Sequence, residues 1–438
     1  MNTNGGFDVD RLVEPDRVHR ACYTDEAVFD LEMERLFHKS WIYVGHESQV
    51  PNPGDFWTTM IGKQRMIMSR GDDGRVHVLY NRCPHRGALL CPEQHGNAGK
   101  AFRCSYHAWQ FYMDGTVRQI PVRDGYDNTR MSMDSPDAQV KPAERSGAYR
   151  GFVFASLSKD GPDLETWLGG ARVAFDDMCD RAPEGEVEVV PNCFRVIQKS
   201  NWKIFLENQL DALHPSITHE STGVAASAVE RDYEDRTGEK PPMSYGMLSA
   251  FSLPFEKWDS LETVGFPHGH CILQGYMGLR PRDPDTLEYE AVMEKAYGKE
   301  RAAEILGVNI HYVLVYPCLS VQSPLQQLRA VRPLGADRTL TEIWHFRLKG
   351  APEAIYRRAL AYYYHVNSPS TMVNADDLHN FWSCHQGLQL DGGEWVSFHR
   401  NAGQDTEADG VITSITGMSE APMRNQFRAW KEYMSAGA

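Results

Sequence analysis

Four residues constrain this chain more tightly than anything else in it. Cys83 and His85 stand in Asn81-Arg82-Cys83-Pro84-His85-Arg86-Gly87, and Cys104 and His107 in Phe102-Arg103-Cys104-Ser105-Tyr106-His107-Ala108-Trp109. The pattern is Cys-x-His, eighteen intervening residues, then Cys-x-x-His, so each of two short loops supplies one thiol and one imidazole. Such a pair can hold a two-iron, two-sulfide cluster, with both thiolates on one iron and both imidazoles on the other. Two Cys and two His also suit a tetrahedral zinc, but zinc sites usually keep a close Cys pair apart from a close His pair. Here each loop mixes the two, and Pro84, Gly87 and the aromatic neighbours would shield a cluster from water. Cys91 has no His at ligand spacing and reads as a buried bystander thiol.

The surroundings of these loops are β-rich. Trp41–Val44, Asp55–Met60, Arg65–Met68 and Val76–Tyr80 are short strand-like runs, separated by Pro51-Asn52-Pro53-Gly54 and Gly71-Asp72-Asp73-Gly74. Further strands are expected at Ala101–Arg103, Trp109–Tyr112 and Thr116–Gln119, the last two joined by Met113-Asp114-Gly115. Before them, an arm runs into a helix with Thr24 as its cap. After them, Tyr149–Leu157 reads as a strand, Pro162–Arg181 as helical and Glu186–Gln198 as another strand.

The second constellation begins at Ser200-Asn201-Trp202. Ser200 or Asn201 is a good N-cap, and Trp202, Phe205, Leu206, Leu210 and Leu213 recur at helical spacing. Asn208, Asp211 and His214 follow at i, i+3 and i+6 on one face, and the helix is expected to kink or end at Pro215, bringing His219 back beside His214. A buried helix of this kind needs partners for its polar groups, and a cation is one way of satisfying several together. On this stretch alone a solvated polar helix explains the same residues. Residues 223 to 310 alternate weak helical and loop character, including Gly223–Glu230 and Leu287–Gly298. Four strands are expected at 310–317, 319–322, 327–333 and 339–348, and then a helix at Met372–Leu388 bearing Asp376, Asp377, His379 and His385.

Composition narrows the classes. A net charge of −14 argues against nucleic acid or anionic membrane as the main partner. There is no run of 18 apolar residues and no apolar stretch in Met1–Arg20, so neither a membrane span nor a secretory signal is expected. Nine cysteines spread from Cys22 to Cys384 suit a reducing, cytoplasmic setting.

In this order and spacing, the Cys83–His107 pattern and the Asn208–His219 stretch resemble the large (α) subunit of a Rieske-type aromatic ring-hydroxylating dioxygenase, from about Tyr23 to Leu388. The resemblance implies an α+β chain: a small antiparallel β Rieske [2Fe-2S] domain and a catalytic domain with a curved antiparallel sheet flanked by helices. The expected divisions are 1–40 for an arm packing on the catalytic domain, 41–157 for the Rieske domain and 158–438 for the catalytic domain. It implies one [2Fe-2S] cluster on Cys83, His85, Cys104 and His107, and a mononuclear Fe(II) on His214, His219 and Asp377, a 2-His-1-carboxylate triad with an open face. Asp376 is the alternative carboxylate, and His385 stands where the family usually has Gln. Asp211 is implied to take the outer N–H of His214 and to bridge to His107 of a neighbouring subunit. Asn208 lies near the iron in the family, although an ordinary buried amide explains it as well, and Arg86 and Trp109 are implied to screen the cluster.

The family reading makes the chain a terminal oxygenase that uses O₂ and externally supplied electrons to cis-dihydroxylate a small aromatic substrate. His46-Glu47-Ser48-Gln49-Val50-Pro51 leans that reading toward aromatic carboxylates, and Arg329 is one residue that could meet such a group. No GxGxxG fingerprint or flavin motif is present, so NADH would act through a separate reductase, with a ferredoxin. A homotrimeric ring, with or without a small β subunit, is implied. The alternatives are a Rieske monooxygenase or O-demethylase, a Rieske electron carrier and a zinc-stabilised binding protein.

Overall fold

The β-rich stretch around the two Cys-His loops forms a unit of its own. The computed structural model describes residues 8–436. In it Leu36–Thr166 is one compact unit, and the chain up to Arg35 together with the chain from Trp167 onward is the other.

Three small antiparallel sheets build the first unit. One runs Val76–Tyr80, Gln64–Arg70, Asp55–Ile61, His95–Asn97; a second runs Val117–Gln119, Gln110–Phe111, Phe102–Arg103; a third runs Arg145–Tyr149, Phe152–Ser156, Ile42–His46. The stretch expected as one strand at Tyr149–Leu157 is thus the second half of a hairpin, turned at Arg150-Gly151, where both residues take positive φ. Phe56, Ile67, Leu79, Phe102, Trp109 and Phe111 share one buried cluster with Cys83 and Cys104, so the thiols belong to the core of this unit.

The larger unit is organised by a ten-stranded antiparallel sheet. Arg338–Leu348 pairs on one side with Val187–Val189 and Phe194–Gln198, and on the other with Gln327–Gly335. Leu319–Gln322, Ile310–Val315, Cys271–Gly275, Glu262–Gly265, Val411–Ser414 and Thr406–Ala408 follow in that order. The run expected as one strand at Glu186–Gln198 is therefore two, broken at Pro191, which has no N–H for a ladder. Residues 223 to 310 hold two sheet strands, Glu262–Gly265 and Cys271–Gly275, that the sequence reading passed over as loop.

The helix that starts at Trp202 lies against this sheet. Asn201 caps it, its side chain accepting from the Lys203 N–H and donating to the Tyr23 and Ala336 carbonyls. The expected extension to Pro215 does not occur: the helix is Trp202–Gln209 and ends at Leu210. Asp211 competes with the helix by accepting backbone N–H bonds from Leu213 and His214. Pro215 then opens a short second helix, Pro215–Thr218, at the first position, where a missing N–H costs nothing. Near the N-terminus the expected cap Thr24 lies in a preceding turn, and Asp25 caps Glu26–Glu32 through the Ala27 and Val28 N–H groups.

That capped helix delivers Glu32 to the interior. Its fully buried carboxylate accepts from Lys203 Nζ, from Trp202 Nε1 at 2.9 Å and from Trp430 Nε1 at 2.7 Å. Trp430 belongs to Ala421–Ser435, an amphipathic helix beyond the reach of the sequence reading. One carboxylate thus joins the helices Glu26–Glu32, Trp202–Gln209 and Ala421–Ser435.

His270 is also fully buried. Its Nε2–H donates to the Trp167 carbonyl, and its Nδ1 accepts the Tyr316 N–H, each at 3.0 Å. Burial, reinforced by His268, pulls its pKa down to about 3. An unfolded chain takes up this proton near 6.5, so the stability held by neutral His270 is complete above that pH and is lost as pH falls toward 3, by on the order of 4 kcal/mol. His270→Gln is expected to flatten the acid side of a plot of urea midpoint against pH; an unchanged slope would show that His270 is not the group titrating.

Candidate active site

Each unit presents one group of side chains suited to a metal. In the smaller unit the two Cys-His loops repeat one backbone scheme. The Cys83 N–H donates to the Ala88 carbonyl at 2.7 Å and the Gly87 N–H to the Cys83 carbonyl at 2.9 Å. In the other loop the Cys104 N–H donates to the Trp109 carbonyl at 2.9 Å and the Ala108 N–H to the Cys104 carbonyl at 3.0 Å. Four residues after each Cys the chain turns left-handed, with φ +78° at Gly87 and +57° at Ala108. The two loops therefore share one backbone turn, with His at the second position after Cys in one and at the third in the other.

The imidazoles of His85 and His107 lie with ring centroids 4.5 Å apart, and His85 stacks on the buried Trp109 at 4.9 Å. Both Nδ1 atoms are buried without a hydrogen-bond partner. Burial, with the neighbouring Cys104 thiol, pushes the Cys83 thiol up to about 11, so an empty site would hold it protonated. Unpartnered ring nitrogens beside two buried thiols are what a metal group satisfies. The donors are not gathered tightly enough for one ion. Among the described residues one group alone brings three such atoms within 4.8 Å of one another, and it is not this one. A tetrahedral zinc, with ligands at about 2.0–2.3 Å, needs all four close together, whereas two thiols and two paired imidazoles also suit a binuclear cluster. Arg86 is exposed and Cys91 is buried, its backbone held by the Asn81 side chain.

The group that does meet the distance is His214, His219 and Asp377. Asp377 Oδ1 lies 3.2 Å from His219 Nε2 and 3.8 Å from His214 Nε2. Asn208 Nδ2 reaches His214 Nε2 at 3.0 Å and Asp377 Oδ1 at 3.3 Å, so the amide sits among the three inward-facing atoms. His214 and His219 stand at the two ends of the short helix Pro215–Thr218, Asn208 comes from Trp202–Gln209, and Asp377 from Met372–Leu388. Within that helix His385 is buried and meets Gln389 Nε2 at 3.3 Å, away from the site.

Each imidazole turns its outer nitrogen to a carboxylate. His219 Nδ1 lies 3.5 Å from Asp376 Oδ2, and His214 Nδ1 lies 3.4 Å from Asp211 Oδ2, the latter too oblique for a full hydrogen bond. Asp376 is therefore behind a histidine here and not among the inward-facing atoms. Burial works to raise the Asp211 carboxyl, but His214, Arg400 and the Leu213 N–H together hold it below the usual carboxylate range. Arg400 donates to Asp211 Oδ1 at 2.9 Å, a partner that sequence reasoning missed because no periodicity links residues 189 positions apart.

These side chains border a cavity of about 810 Å³. Met247, Phe251, Leu273, Leu306 and Val366 give it apolar walls, and Asn208, Gln209 and Arg329 give it a polar end. The size and mixed lining are those of a small-molecule site.

Comparison with known proteins agrees with this geometry. Residues 40–130 match the Rieske [2Fe-2S] domain family, and residues 164–436 match the catalytic domain of the ring-hydroxylating alpha subunit family. The chain is 30% identical to the toluate 1,2-dioxygenase alpha subunit of Pseudomonas putida, covering 99% of this chain and 96% of that one. It is 30% identical to the 2-halobenzoate 1,2-dioxygenase large subunit of Burkholderia cepacia, covering 96% and 90%. A solved naphthalene 1,2-dioxygenase with indole in its active site shares the fold at a TM-score of 0.79 and 24% identity, covering 97% and 93%.

Proposed function

The chain belongs to the ring-hydroxylating oxygenase alpha subunits with a Rieske domain, and on that premise we propose that it cis-dihydroxylates an aromatic carboxylate, with His214, His219 and Asp377 holding a mononuclear Fe(II) and Cys83, His85, Cys104 and His107 holding the cluster. The observation that carries the reading is the grouping of three ligand atoms on the wall of a largely apolar cavity. The carboxylate lean is supported by the toluate and 2-halobenzoate relatives.

When bound, the two groups supply an open coordination face for O₂ and single electrons from a histidine-ligated cluster of raised potential. The rest is the work of the chain's own residues. Asp377 offsets one of the two charges of the ion it meets, while two neutral imidazoles leave the other uncompensated. Asp376 orients the His219 ring from behind and Asp211 faces the outer nitrogen of His214, which favours the inward nitrogens as donors. Asn208 holds Asp377 and His214 in register before a metal arrives. The apolar walls exclude water from the ring edge to be oxidised. The proposal includes an NADH-linked reductase and a ferredoxin as electron source, and a ring of three copies in which Asp211 meets His107 of a neighbour.

Two measurements test this. Anaerobically purified protein is expected to carry about three irons and two sulfides per chain; zinc without sulfide would end the reading. With labelled O₂, both product oxygens are expected to carry label, and a single labelled oxygen would make the enzyme a monooxygenase. Asp376→Asn is expected to weaken iron retention about tenfold, because a histidine's outer partner tunes its basicity. Titration of the iron-depleted protein with Fe(II) measures this, and unchanged affinity would show that Asp376 plays no part.

A further inference from the structure

The cavity contains one buried cation whose partners are all neutral. Strand alternation puts Gln327 and Arg329 on the same face of Gln327–Gly335, and the register sets Gln322 of the next strand beside Gln327. Gln209, the last residue of the central helix, reaches the same point. Arg329 donates through Nε to Gln327 Oε1 at 2.7 Å, and through its two terminal nitrogens to Gln209 Oε1 at 2.9 Å and Gln322 Oε1 at 3.3 Å. A guanidinium has five N–H groups, so these bonds leave one on each terminal nitrogen. A carboxylate can bridge the two terminal nitrogens of a guanidinium in a fork.

Burial pulls the Arg329 pKa below its ordinary value, yet among the described residues no carboxylate lies within ion-pair distance. The other buried or half-buried arginines lining the cavity are neutralised: Arg181 by Asp177, Arg280 by Glu290 and Arg358 by Asp283. A buried charge without a counter-charge is strongly unfavourable, and a bound anion would supply the opposite sign. The glutamines are also held in place. Gln327 donates to His345 Nε2 at 3.2 Å, and burial beside Arg329 pulls His345 down to about 4, which keeps it a neutral acceptor. Gln209 Nε2 donates to the side-chain Oδ1 of Asn208 at 3.2 Å, and Asn208 Nδ2 contacts His214 and Asp377. The cation is therefore fixed relative to the ligand group by a short chain of hydrogen bonds.

We propose that Arg329 is the specificity-determining residue of this cavity and binds the carboxylate of a mono- or bicyclic aromatic acid, presenting the ring to the open side of the His214–His219–Asp377 group. The inference rests on the carboxylate reading above and names the residue responsible for it. Gln209, Gln322 and Gln327 hold the guanidinium without neutralising it, a task that glutamate in their place would defeat.

Calorimetric titration of the iron-loaded full chain with benzoate and 1-naphthoate, against benzamide and 1-naphthamide as neutral isosteres, tests this without turnover. The wild type is expected to prefer each acid over its amide by about 30-fold or more, the scale of a charge-assisted fork. Arg329→Gln is expected to abolish that preference, and Arg329→Lys to keep part of it. Gln322→Glu leaves Arg329 in place but supplies an internal counter-ion, and it is expected to remove the preference as well. It decides the matter if Arg329→Gln fails to fold. An acid preference that survives in both Arg329→Gln and Gln322→Glu overturns the assignment and leaves the carboxylate reading standing. A wild type with no acid preference that oxidises neutral arenes overturns both.

Discussion

Replacement of His219 by alanine is expected to lower product formation by on the order of 10³-fold or more while the visible spectrum of the cluster is unchanged. His219 is almost fully buried, and its Nε2 is the atom nearest to Asp377 Oδ1, at 3.2 Å. Removing it leaves two of the three inward-facing donors proposed to hold the iron, too few to retain the ion. The residues proposed to hold the cluster lie in the other unit, so its absorbance is expected to be untouched by the change. His219 also packs edge-on against Phe251 at 5.2 Å, so some loss of stability accompanies the change. His219→Gln, which fills more of the same space, separates the two effects: it should regain stability without regaining activity. Activity within tenfold of wild type in His219→Ala would mean that the oxygen chemistry takes place elsewhere.

The second large effect concerns stability. Glu32→Ala is expected to cost about 3–5 kcal/mol, because it strands the ammonium of Lys203 in the interior. The same change removes the acceptor of two indole N–H groups, Trp202 and Trp430. Against a typical total of about 5–15 kcal/mol, a loss of that size places the protein near the edge of folding at 37 °C. The double variant Glu32→Gln with Lys203→Met removes both charges and keeps an acceptor for the indoles, and it is expected to recover most of the loss. Urea midpoints of the wild type, Glu32→Ala and the double variant measure this. A Glu32→Ala midpoint within about 1 kcal/mol of wild type would show that Lys203 finds another counter-charge.

What the sequence revealed depended on whether a feature was local. The Cys83–His107 spacing and the pair His214 and His219 are short-range patterns, and the structure brings each set together. Asp377 was reached only through resemblance, since a carboxylate near a helix start has an ordinary explanation as well. The end of the central helix was misread because Leu210 and Leu213 continue the apolar rhythm, while the deciding interaction is the Asp211 side chain with its own backbone. Glu262–Gly265 and Cys271–Gly275 were passed over because Pro267 and Gly269 break the stretch, and their strand character comes from neighbours far along the chain. Arg400, Glu32 and the surroundings of Arg329 carry no sequence pattern at all. Each is a buried or half-buried charge whose meaning lies in which partners it meets, and those partners come from other elements.

The division of the chain has a consequence for its synthesis. The unit from Leu36 to Thr166 is continuous, so all of its residues have been translated once Thr166 has left the ribosome. The other unit is interrupted by it, and its buried carboxylate at Glu32 waits for Trp430. At about 5–20 residues per second, the segment between is made in some tens of seconds. Once Thr166 has been made, the nascent chain carries a complete small unit and an incomplete large one, and the exposed apolar surface of the latter is what a chaperone would meet.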